Sequence, residues 1–162
     1  MKSSDFRKIM RQFPAAVSIV TSQHGEQKTG ITISSLTSVS LEPPTLLFCI
    51  NKESASHDII KKSKSCVINL LSREHIHISN YFAGYISDKT YKGFLDTHWQ
   101  ETDKKVPLLK NAVANFICNV DKIIDTKTHS IFIVHVNGGY LDEKQQAVLY
   151  CLKHYGTFES IQ

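Results

Sequence analysis

Between Gly30 and Ser40 the chain carries six hydroxyl side chains: Thr32, Ser34, Ser35, Thr37, Ser38 and Ser40. In extended backbone alternate side chains share a face, which puts Thr32 with Ser34 and Ser38 with Ser40. Such a row, with the N–H groups of its own backbone, suits a ring system that takes hydrogen bonds along one edge. The plain reading is a solvated edge strand rich in β-favouring Thr, and on pattern alone it is the stronger of the two. A second stretch, Asn51-Lys52-Glu53-Ser54-Ala55-Ser56, follows an apolar run and opens a helix. Ser hydroxyls and a Lys at a helix N-terminus suit a phosphate. The plain reading is capping by Ser54 or Ser56. Both stretches flank the same apolar run, TLLFCIN, so they end close together in space. That neighbourhood favours one phosphorylated ring ligand.

Other chemistry-bearing residues form no familiar constellation. The chain has eight histidines, without an HExxH or a Cys/His cluster at ligand spacing. His75 and His77 are two apart in an expected helix and so point to different faces. His129 opens a strand straight after a polar turn, which places its ring at a rim. Cys49, Cys66, Cys118 and Cys151 each lie in an apolar run with no CxxC, as free buried thiols do. No GxSxG elbow and no GxGxxG loop occurs.

The elements that must position these groups are mostly strands. Phe6, Ile9, Met10 and Phe13 define one face of a helix capped by Ser3 or Ser4 and ended by Pro14. AAVSIVTS and QKTGITI read as a hairpin around Gln23–Glu26. TLLFCIN has the continuous apolar character of a central, doubly buried strand. SASHDIIKKSKS reads as a short helix, CVINLLS as a buried strand, and 73–82 as a helix with Ile78, Tyr81 and Phe82 inward. The stretch 83–105 is irregular and reads as a loop with a helical turn. Beyond Pro107 come an extended stretch over 111–124, a turn at 125–128, the strand HSIFIVHVN, a bend or bulge at Gly138-Gly139, and AVLYCLKHYGTF. Strands joined by short turns predict a mainly β, antiparallel barrel with helical decorations rather than alternating βαβ units.

The bulk properties agree. The chain has 162 residues, 41% of them hydrophobic, with a formal net charge of +4. This predicts one domain over 1–162 with a real core. The densest basic stretch, Lys61, Lys62 and Lys64, is a solvated helix face rather than a nucleic-acid stripe. Neither a signal peptide nor an apolar run of membrane-spanning length is evident, and free thiols suit a reducing compartment; a cytoplasmic protein is expected.

Taken together, FPAAVSIVTS, GITISSLTSVSLEPPTLLFCINKES, CVINLLS, YFA and THSIFIVHV resemble the flavin reductases of the FMN-binding split-barrel class, in the right order along nearly the whole chain. The resemblance implies a Greek-key-like split barrel and an NAD(P)H-dependent reduction of FMN, or of FAD, with NADH or NADPH as hydride donor. It further implies a homodimer and a flavin-dependent monooxygenase that receives the reduced flavin. A carrier or redox sensor that binds flavin without turnover is the alternative. By the same resemblance Thr32, Ser34 and Ser35 contact the ring edge and ribityl chain. Cys49 and Ile50 line the ring plane, with Asn51 at the strand end. Ser54 and Ser56 bind the phosphate with Lys52 nearby, which favours FMN. Phe82 and Tyr155 lie close to the site, and His129 places the nicotinamide. The family pattern has Gly-Asp before that histidine, where this chain has Lys127-Thr128.

Overall fold

A computed structural model describes residues 1–85 and 93–161. Its framework is a seven-stranded antiparallel sheet of order β3-β2-β6-β9-β10-β5-β4. The strands are β2 (Ser18–His24), β3 (Gln27–Ile33), β4 (Thr37–Leu41), β5 (Pro44–Asn51), β6 (Ser65–Leu70), β9 (Ala114–Asp125) and β10 (His129–Leu141). A small sheet of β1 (Ala15–Ala16), β11 (Val148–Cys151) and β12 (His154–Thr157), and a hairpin of β7 (Trp99–Glu101) with β8 (Pro107–Leu109), complete the β structure. The helices are α1 (Ser3–Met10), α2 (Ala55–Ser63) and α3 (Ile76–Phe82).

The two edge strands of the large sheet, β3 and β4, are consecutive in the chain. Only Ser34, Ser35 and Leu36 join them, and so short a link spans at most roughly 14 Å from Ile33 to Thr37. The sheet must therefore curl until its edges meet. Those edges do not pair with each other, so the barrel keeps a seam, and the hydroxyl row lies along it.

Inside the curl, Val20, Ile33, Phe48, Ile50, Ile68, Phe132 and Val134 pack together with Ile60 of α2. Phe48 and Phe132, paired in register, stack with centroids 5.4 Å apart. A second core joins Val17, Ile19, Leu71, Ile78, Trp99 and Leu109 beneath α3 and the small sheet.

Most expected elements are present, with five departures. Helix α1 starts at Ser3 with Lys2 at its N-cap and no side-chain cap, so neither Ser3 nor Ser4 caps it, and it ends at Met10, short of Phe13 and Pro14. The AAVSIVTS strand breaks at Val17, which separates β1 from β2. The run TLLFCIN is not doubly buried: β5 lies one strand from the edge, with Phe48 and Ile50 inside and Leu47 and Cys49 half-buried on its other face. The helix over 73–82 begins as a 3-10 turn at Arg73–His75. Only Cys66 and Cys118 are fully buried, facing each other across β6 and β9, while Cys49 and Cys151 are half-buried. Each of these last two thiols lies on the less covered face of its strand. The expected bulge at Gly138-Gly139 is a register shift between Val136 and Gly138 in β10. The irregular stretch contains a 3-10 turn at Gly93–Leu95 and the strand β7; its residues 86–92 lie outside the described residues.

Candidate active site at the barrel seam

Two side-chain clasps fasten the sequence-distant polar stretches to one another. Ser35 Oγ accepts from the Cys49 N–H at 3.1 Å, and so holds the β3–β4 link against β5. Ser56 Oγ meets Thr29 Oγ1 at 2.6 Å and donates to the Gly30 carbonyl at 3.2 Å, and so holds the start of α2 against β3. Gly30 through Ser35 and Cys49 through Ser56 thus form a closed circuit of chain around one end of the seam.

Along this circuit the hydroxyls divide into free and committed ones. Thr32 and Ser34 share a face, as alternation requires, and both line a cavity of about 130 Å³. Thr32 Oγ1 also donates to the Ser79 carbonyl at 2.8 Å, whereas Ser34 is exposed. Ser38 and Ser40 are separated by a register shift in β4, and Ser40 is spent on the Pro43 carbonyl. Ser54 caps α2 by accepting from the Ser56 N–H at 3.3 Å. Ser56 is buried and its hydroxyl is consumed by the clasp, so it holds the helix start rather than presenting a free donor. The side chain of Ile50 lies in the interior core, because it follows Cys49 on a strand and neighbours alternate faces. Of that pair only Cys49 faces outward.

Charge gathers where β5 ends. Lys52 Nζ donates to the Thr126 carbonyl at 2.6 Å and lies 3.6 Å from the Asp125 carboxylate. The Ser130 hydroxyl donates to Asp125 at 2.6 Å, and this bond, helped by the charges of Lys52 and Lys61, holds its carboxyl below the usual carboxylate range. Asn51 pairs in register with His129, and Lys52 N–H donates to the Thr128 carbonyl at 3.0 Å. His129 therefore stands exposed beside Asn51, with Nδ1 2.8 Å from the Thr128 hydroxyl.

The aromatic residues gather at the other end. The Phe82 ring covers Gly30, where an added Cβ would lie 2.7 Å from it. Tyr155 joins the cavity at Thr32 and Ser34; its hydroxyl donates to Asn80 Oδ1 at 2.8 Å and lies 3.1 Å from Ser79 Oγ. Sequence reasoning missed Val17, Ala83, Tyr85 and Tyr150, which line the same cavity. Burial, with Tyr85 and Tyr155 beside it, pushes the Tyr150 hydroxyl above its ordinary range. Tyr150 faces Tyr155 across a hairpin whose two turn residues, Leu152 and Lys153, have φ of 53° and 69°. That is the left-handed pair of a type I′ turn without its usual Asn-Gly signature, so the pairing left no mark in the sequence.

Among the described residues no group of three or more His, Cys, Asp or Glu is arranged to hold a metal. No helix of the described residues is long and apolar enough to cross a membrane.

The model of the flavin reductase like domain matches residues 10–159, and the chain belongs to that family. It is 33% identical over 148 residues to the reductase component of an FADH(2)-dependent resorcinol hydroxylase of Rhizobium sp. strain MTP-10005, covering 90% of this chain and 82% of that one. It is 32% identical over 132 residues to RutF, an FMN reductase (NADH) of Serratia proteamaculans strain 568, covering 82% and 74%. The flavin reductase PheA2 in its native state has the same fold, with a TM-score of 0.89 at 26% identity over 99% of this chain and 100% of that one.

Proposed function

We propose that this chain is an NAD(P)H:flavin oxidoreductase that holds FMN, or FAD, along the seam circuit. The observation that carries the reading is the pair of clasps, Ser35 to Cys49 and Ser56 to Gly30. They bring the two halves of the hydroxyl-rich block into one place. The donor set fits a flavin. Edge strands at a seam leave backbone N–H and C=O groups for a ligand, Ser34 and Thr32 stand on one face, and Lys52 with the Ser54-capped helix start suits one phosphate. A single phosphate site favours FMN.

The flavin, when bound, supplies the acceptor for hydride. The chain supplies placement and electrostatics. Donors of the Ser34–Ser35 stretch would hold the ring edge and would stabilise negative charge on the reduced flavin. Asn51 and Cys49 bound the ring position on β5, with Ile50 contributing backbone only. Phe82 and Tyr155 close the aromatic side. His129, exposed beside Asn51, places the nicotinamide; holding both rings in contact can lower the barrier by about 7–11 kcal/mol in ideal cases. No protein nucleophile takes part.

The chain works as a homodimer that passes reduced flavin to a flavin-dependent monooxygenase in the cytoplasm. Support for a second copy comes from α1, which has no buried residue and exposes Phe6, Ile9 and Met10. Support for the oxygenase comes from the relatives named as monooxygenase or hydroxylase reductase components. Mixing the purified protein with NADH or NADPH and with FMN, FAD or riboflavin tests the reductase reading. Flavin-dependent consumption of the nicotinamide is expected. Retained FMN without consumption would replace the reductase with a flavin carrier or sensor.

A further inference from the structure

Behind the half-buried Lys52 lies a polar chain that the reaction does not use. His57, in the first turn of α2, is buried; its Nε2 lies 2.8 Å from Ser130 Oγ, and its Nδ1 lies 3.1 Å from the exposed Asp58 carboxylate. Asp58, His57 and Ser130 have the connectivity of a hydrolytic triad, but the details oppose that role. Ser130 is fully buried, so no substrate reaches it. Its single hydroxyl hydrogen is committed to Asp125 Oδ1 at 2.6 Å. Ser130 Oγ therefore accepts from His57, and Nε2 carries the hydrogen. The His57 ring is held in turn by an edge contact with Phe132, at a centroid distance of 5.5 Å.

The chain of bonds has one direction: His57 donates to Ser130, Ser130 donates to Asp125, and Asp125 faces the Lys52 ammonium at 3.6 Å. It links α2, β10 and the end of β9 to the one lysine at the start of α2. Fixing the carboxylate fixes the direction in which Lys52 is drawn, and the Thr126 carbonyl at 2.6 Å takes one of its three hydrogens. The ammonium keeps N–H groups for a ligand.

We propose that His57, acting through Ser130 and Asp125, is a positioning residue that aims the Lys52 ammonium and so sets the preference of the site for a phosphorylated flavin over an unphosphorylated one. The inference rests on the reading that Lys52 meets the flavin phosphate. It assigns His57 and Ser130 no contact with the ligand.

Fluorescence titration with FMN and with riboflavin, which lacks the phosphate, separates the two readings without requiring turnover. Wild type binds FMN more tightly, and Lys52→Met removes that preference. Ser130→Ala weakens FMN by about ten-fold, as loss of a hydrogen bond to a charged group does, and leaves riboflavin within about two-fold. Ser130→Ala adds nothing further in the Lys52→Met background, because both act on one interaction. His57→Gln, which keeps an N–H donor, retains the preference, and His57→Leu loses it; this pair decides the matter if Ser130→Ala fails to fold. A wild type without preference, or a silent Lys52→Met, overturns the phosphate reading itself. An effective Lys52→Met with a silent Ser130→Ala, an equal loss for riboflavin, or additive losses overturns the positioning role alone.

Discussion

Gly30 and Gly139 lack side chains for different steric reasons, and the difference predicts different outcomes. A Cβ on Gly30 would lie 2.7 Å from Cε1 of Phe82, an aromatic ring that can shift at a cost. A Cβ on Gly139 would lie 2.2 Å from the Asn115 carbonyl oxygen, which the β9–β10 ladder holds in place. Gly30→Ala is expected to cost about 1–3 kcal/mol, the usual penalty of overpacking. It should also weaken flavin binding, since Phe82 must move. Gly139→Ala is expected to destabilise more, without a separate effect on flavin. Denaturant midpoints and flavin titrations of the two variants check both statements. At this scale the types of the site residues were legible, but their commitments were not. Ser54 and Ser56 look alike in sequence, yet one caps α2 and the other is spent on Thr29 and Gly30. Cys49 and Ile50 are adjacent, and only burial tells which of them turns inward.

The 3-10 turn that leads into α3 carries its own pH dependence. His75 is buried, and its Nδ1 lies 3.0 Å from Ser72 Oγ and accepts from the Ser72 N–H at 3.4 Å. Burial holds its pKa below the ordinary value, although a bond with the Lys110 backbone pulls the other way. An unfolded histidine titrates near ~6.5. Below that value the unfolded chain binds the proton and the folded chain does not. Stability is therefore fully present above ~6.5 and declines as the pH falls toward the lowered folded value. Thermal unfolding should show a lower Tm at about pH 5.5 than at about pH 7.5, and His75→Gln should flatten the slope. A helix over 73–82 was legible from its apolar spacing. Its reciprocal cap was not, since Ser72 and His75 pair through a ring nitrogen rather than through the Glu or Gln of the common capping box.

On the scale of the whole molecule, α1 stands out among the described helices as one with no buried residue. Phe6 and Ile9 of this short helix are 57% and 48% exposed, and Phe13, just beyond its end, is 61% exposed, an apolar surface that a second copy can cover. A second copy covering that face predicts that Phe6→Glu combined with Ile9→Lys yields a monomer, read by sedimentation at a concentration where wild type is a dimer. A wild-type monomer would remove the homodimer from the proposal.

Apolar periodicity and turn residues set the order and type of nearly every element, because those signals are local. They made a mainly antiparallel β fold legible, and the hydroxyl-rich block with its Pro-Pro stop pointed to flavin chemistry only through the family resemblance it carries. Closure was decided only in three dimensions. That β3 and β4 become the two edges of one curled sheet depends on the β6–β9 and β5–β10 pairings, which join residues far apart in sequence. The aromatic cavity likewise exists only because Tyr150 and Tyr155 fold across an unmarked turn onto Thr32 and Ser34. The polar line from His57 to Lys52 draws on α2, β9 and β10 at once. A sequence names the donors it contains, while long-range pairing decides which of them meet.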